Sequence, residues 1–128
     1  MIAHASVAVN EYAKSKELYT KMLAPLGYAL TMDLPEFNAG GFTEGGKMDF
    51  WIGQSEHAGG VHIAFNANSK AMVDAFHAAA LAAGAADNGA PGYRANYSPG
   101  YYAAFVHDLG GNNIEVVWMD PAGNPAIV

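Results

Sequence analysis

His4-Ala5-Ser6-Val7-Ala8-Val9-Asn10 opens the chain, and His62-Ile63-Ala64-Phe65-Asn66-Ala67-Asn68 restates it 58 residues later. The first lies in a short, largely apolar strand expected over 2–9 and closed by Asn10, which can accept a bond from a free helix amide, and the second in a strand expected over 61–66 that leads through Asn68 and Ser69 into a helix. After Asn10, residues Ala13, Leu18, Met22 and Leu23 fall on helical spacing with Lys14, Lys16 and Lys21 outside, until Pro25 and Gly27 end the run. After Asn68 and Ser69 a second helix is expected over 70–83, with Val73, Phe76, Ala80 and Leu81 on one face. Strand-like pieces 28–33, 37–43 and 48–52 follow the first helix, divided by Pro35 and by Gly45-Gly46. Behind the second helix come an irregular stretch, 86–100, and the strands 101–107 and 113–118. Gly27 and Gly84 lie just past their helices, and Asp49-Phe50-Trp51-Ile52 aligns with Ile114-Glu115-Val116-Val117. A duplicated βαβββ unit accounts for these landmarks. The expected fold is α+β: one domain, 1–128, of two modules, about 1–53 and about 61–119, with a cleft between their sheets.

Composition narrows the chemistry. The 128 residues hold 6 Lys+Arg, 12 Asp+Glu and no Cys, for a formal net charge of −6. Without Cys there are no disulfides, thiolate metal sites or cysteine nucleophiles, so a metal must sit on His and carboxylate. An acidic chain with one Arg lacks the basic footprint that nucleic acid or anionic membrane selects. No run approaches the roughly 18–20 apolar residues of a membrane span, and the N-terminus lacks a signal-peptide layout, so a cytoplasmic protein is expected.

Of the five His, three have ordinary readings: His57 in a Gly-rich connector, His77 at a helix edge and His107 at a strand end before the turn Asp108-Leu109-Gly110-Gly111. His4 and His62 occupy the same place in the two repeats, each with a small neighbour two residues on, Ser6 or Ala64. Glu115 stands in the apolar run Ile114–Trp118, where an unpaired charge costs several kcal/mol. Two His and one carboxylate on strands match the ligand set that holds Fe(II), Mn, Zn or Ni with positions open to substrate. The alternative is that the two His bond to backbone and Glu115 pairs with a Lys.

The runs His4–Val9, His62–Phe65 and Asp108-Leu109-Gly110-Gly111-Asn112-Asn113-Ile114-Glu115-Val116-Val117 together resemble the vicinal oxygen chelate superfamily, which contains glyoxalase I, bleomycin-resistance proteins and extradiol dioxygenases. The resemblance covers nearly the whole chain. It implies mixed sheets curled around a pocket, often completed in a homodimer, and metal ligands on the first and last strands of the modules. Carried over by position, these are His4, His62 and Glu115, with Glu115 also the catalytic group. Two departures stand out. The module-one counterpart of Glu115 aligns with Phe50, leaving no fourth ligand, and Ala8 stands where glyoxalase I has an arginine that clamps glutathione. Both argue against lactoylglutathione lyase activity. Leu109 replaces a proline common in the family's hairpin.

The segment Gly92-Tyr93-Arg94-Ala95-Asn96-Tyr97-Ser98-Pro99-Gly100-Tyr101-Tyr102 sets four of the seven Tyr beside the only Arg. Aromatic walls with hydroxyl handles and a guanidinium that grips carboxylate or phosphate suit a substrate loop, so Tyr93, Arg94, Tyr97 and Tyr102, with Phe50 and Trp51, are candidate substrate contacts. The expected function is a divalent-metal-dependent enzyme of isomerase or lyase type acting on a small oxygenated substrate. An extradiol-type dioxygenase and a drug-sequestering protein of the bleomycin-resistance type are the alternatives.

Overall fold

The computed structural model describes residues 1–125. Its elements run β1 (Ala5–Val9), α1 (Tyr12–Leu23), β2 (Ala29–Leu34), β3 (Ala39–Glu44), β4 (Lys47–Gln54), β5 (His62–Asn66), α2 (Lys70–Ala82), β6 (Ala86–Tyr93), β7 (Tyr101–His107) and β8 (Asn113–Met119). The duplication is complete. One sheet has the order β1-β4-β3-β2 and the other β5-β8-β7-β6, each with one parallel pair, β1 with β4 or β5 with β8. The fold is α+β, and the sheets do not close into a barrel.

Three expectations need correction. The stretch 86–100 is not irregular throughout, because 86–93 form β6. Gly and Pro hide it from a propensity reading, yet β6 pairs only with β7, at the sheet edge, where Pro91 removes no needed donor, and its pairing slips at Gly89. Ala13 is exposed on α1, whose buried face is Tyr12, Ser15, Leu18, Tyr19, Met22 and Leu23, and Leu81 is 39% exposed on α2. Asn10 does not cap α1: the Tyr12 amide donates to Gln54 Oε1 at 2.9 Å, so β4 caps the helix, while Ser69 caps α2 through Met72 N.

The core sits between each sheet and its helix and runs across both modules, with Phe50 edge-on to Phe65 at 5.0 Å. The β7–β8 turn locks the halves together. Buried Asp108 accepts from the Tyr19 hydroxyl of α1 at 2.6 Å and from Asn112 Nδ2 at 2.8 Å. The same Asn112 amide donates to the Ala8 carbonyl of β1 at 2.8 Å. The Asp-x-Gly-Gly-Asn run thus serves architecture, and Leu109 within it is exposed.

Candidate functional site

The second sheet places His62 and Glu115 on the face turned away from the helices. Strand alternation sends Tyr102, Ala104, Val106, Ile114 and Val116 into the core, leaving Tyr101, Ala103, Phe105, Glu115 and Val117 on the other side. His62 joins them, since β5 pairs with β8 so that Ala64 stands opposite Glu115. There the Glu115 carboxylate, only 2% exposed, is held from both sides. Its Oε1 lies 2.8 Å from His62 Nε2, and its Oε2 accepts the Tyr101 hydroxyl in a short hydrogen bond. Burial and the adjacent carboxylate push the Tyr101 phenol up to about 12. Glu115 therefore has His62 and Tyr101 as partners and no Lys.

The roof of this face comes from the Tyr-rich segment. The Tyr97 ring, 57% exposed, meets Tyr101 edge-on at 5.2 Å. Arg94 lies over Phe105 at 5.3 Å, but its guanidinium curls back onto its own strand, donating to the Gly92 and Ala90 carbonyls at 2.7 and 2.8 Å. Glycine makes that slot: a Cβ on Gly89 or Gly92 would stand 3.1 Å from a guanidinium nitrogen. Tyr93 and Tyr102 are turned elsewhere. Their hydroxyls donate to Asp120 at 2.7 Å and to Asp74 on α2 at 2.5 Å, and Lys70 lies over both rings.

Module one differs at the corresponding place. Ser6 pairs with Trp51 as Ala64 pairs with Glu115, so the counterpart of Glu115 is Trp51, and Phe50, aligned with it in the sequence, corresponds instead to core residue Ile114. A gap-free match of short apolar runs cannot fix such a one-residue offset; ladder pairing does. Trp51 lies across Gly41, whose missing Cβ would stand 3.0 Å from the indole. Phe50 is 1% exposed. Asp49 does not replace the missing ligand either. The β3–β4 register slips between Phe42 and Glu44, and Asp49 Oδ1 accepts the Tyr28 hydroxyl at 2.8 Å beside a cavity of about 480 Å³ between the modules.

His4 is exposed just ahead of β1, and among the described residues no three His, Asp or Glu side chains converge as a metal cluster. One chain thus brings together His62 and Glu115 and leaves His4 apart. Their Nε2 and Oε1 are both ligand-type atoms, hydrogen-bonded to each other at 2.8 Å, and an ion held by the two would take the place of that contact. Tyr101 is the partner that the sequence reading passed over, because a tyrosine at the start of an aromatic-rich strand looks like wall.

No family model and no curated protein matches the chain. Solved structures do. A glyoxalase/bleomycin resistance protein from Albidiferax ferrireducens T118 is 27% identical, with a TM-score of 0.76 over 91% of this chain and 96% of that one. A glyoxalase-related enzyme from Fulvimarina pelagi is 14% identical, with a TM-score of 0.71 over 100% and 98%. A lactoylglutathione lyase from Agrobacterium tumefaciens is 19% identical, with a TM-score of 0.68 over 92% of each. Coverage is nearly complete on both sides, so the likeness is to whole two-module proteins. The chain carries the fold of the glyoxalase/bleomycin resistance/dioxygenase proteins, consistent with the vicinal oxygen chelate superfamily that its sequence resembles.

Proposed function

We propose that the chain is a glyoxalase-like, divalent-metal-dependent enzyme of isomerase or lyase type acting on a small oxygenated substrate at the open face of the second sheet. The observation that carries this reading is Glu115, a buried carboxylate with one oxygen on His62 Nε2 and the other on a phenol. His62 and Glu115 would hold the ion, which is Zn, Ni, Mn or Fe(II), and His4 of a second copy in a homodimer supplies the third donor. When bound, the ion supplies Lewis-acid stabilisation of charge developing on substrate oxygens. The chain's own groups do the rest. Ala103, Phe105 and Val117 pack beneath the carboxylate and exclude water, and the exposed Tyr97 ring offers a wall to the substrate. The body is a cytoplasmic protein in this reading. No helix among the described residues is long and apolar enough to cross a membrane.

Metal analysis of protein purified without chelator, followed by titration with the four ions, tests the reading. Binding is expected, with His62→Ala and Glu115→Gln each weakening it at least tenfold; no binding by the native chain contradicts it. Oxygen uptake with a catechol after Fe(II) loading would move the assignment to an extradiol-type dioxygenase. Trp51, standing where a second Glu would be, favours one other reading, a protein that sequesters an aromatic or cationic molecule without turnover. Ligand affinity unchanged by His4→Ala and Glu115→Ala would support it.

A further inference from the structure

Tyr101 sits on the rigid part of the site. It begins β7, its amide donates to the Ser98 carbonyl at 3.3 Å, and its own carbonyl accepts from Arg94 N at 2.7 Å. The ring is braced by Tyr97, and the hydroxyl has a single protein partner, Glu115 Oε2. A Phe would fill the same apolar space beside Ala103 and Val117, so the hydroxyl is not there for packing. A Glu carboxyl rotates about its last side-chain bond in a broad, shallow well. Pinning Oε2 to a phenol on a neighbouring strand fixes that rotation and aims Oε1 at His62. With Oε2 pinned, Oε1 stays 2.8 Å from His62 Nε2.

We propose that Tyr101 is a positioning residue: its hydroxyl fixes the Glu115 carboxylate plane and so holds Oε1 beside His62 Nε2, at the separation that a divalent cation taking up both atoms would span. This rests on the metal reading above for its cation and on hydrogen-bond geometry alone for its effect on His62. The residue resembles the outer groups around metal sites whose loss weakens binding about 10–100-fold.

The test uses the full chain, Mn²⁺ alone as probe, and three proteins: native, Tyr101→Phe, and Tyr12→Phe as a control that removes another phenol–carboxylate bond, to Asp33. Mn²⁺ affinity read by electron paramagnetic resonance should fall about 10–100-fold in Tyr101→Phe and stay at the native value in Tyr12→Phe. In the metal-free chain, the imidazole ¹⁵N spectrum of His62 should change from native to Tyr101→Phe, because the Oε1 contact is no longer held in one geometry. Native affinity together with a native spectrum in Tyr101→Phe overturns the proposal. If the native chain binds no Mn²⁺, the metal reading fails and the ¹⁵N spectra decide the positioning role by themselves. A Tyr101→Phe chain that does not fold also overturns the proposal, since the hydroxyl then holds the fold rather than the carboxylate plane.

Discussion

At the level of single residues, two buried carboxylates stand in different surroundings. Asp108 and Glu115 are both buried, and each accepts a tyrosine hydroxyl. Asp108 spends its remaining capacity on Asn112 and on backbone amides of its own turn, whereas Glu115 faces a His that is half in solvent. Removing the Tyr19 hydroxyl should therefore act on stability alone. Tyr19→Phe leaves Asp108 Oδ2 with one donor fewer in a buried place and is expected to lose about 1.5–3 kcal/mol, read by denaturant unfolding; an unchanged midpoint contradicts the inter-module role given to this bond. His62 and Glu115 stand out in the sequence as ligand-type residues in apolar strands, whereas His4, matched to His62 by the repeat, lies exposed ahead of β1. What places Tyr101 on Glu115 is not legible there, since residues 14 apart in sequence meet only through the β7–β8 ladder.

Among the elements, pattern readings found every strand of both sheets except β6. Strand β7 lies inside its sheet and reads off its apolar run at both ends, 101 and 107. Strand β6 borders it and carries Asn88, Gly89, Pro91 and Gly92, so local preference argued for a loop while pairing with β7 imposed a strand. Ala13 and Leu81 show the same limit on helices: helical spacing admits neighbouring faces, and the larger Tyr12 and Tyr19 took the core side of α1. The end of the Tyr-rich loop depends on one glycine. Gly100 has φ +81°, and a Cβ there would stand 2.4 Å from the Asp120 carbonyl oxygen. Gly45 has φ +56° with open space around it. Gly100→Ala should cost clearly more than Gly45→Ala, whose penalty is the left-handed backbone alone, about 1–2 kcal/mol. Paired thermal melts check this; equal losses would mean that the loop end yields freely.

Across the whole molecule, two modules share one core but keep different open faces, Glu115 with His62 in one and Trp51 in the other. Its pH response should have two limbs. Hydrogen bonds from Tyr12 and His77 hold Asp33 and Asp87, respectively, below the ordinary carboxylate range. A carboxylate depressed in the folded state adds stability above its unfolded pKa and loses it as pH falls through the folded one, so stability should decline below about pH 4. Burial and Asp74 raise Tyr102 to about 12, and Tyr28 is raised by burial and by Asp49. A phenol raised in the folded state adds stability below its unfolded value and loses it as pH climbs to the folded one, so stability should also decline between about pH 10 and 12. Unfolding midpoints across that range check both limbs. The central claim is that His62 and Glu115 form one corner of a divalent-metal site. Anomalous diffraction from a crystal grown with Ni²⁺ or Mn²⁺ tests it most directly: the account predicts a peak about 2.0–2.2 Å from both His62 Nε2 and Glu115 Oε1, with His4 of a second copy as a further ligand, and a peak elsewhere, or none on that pair, contradicts it.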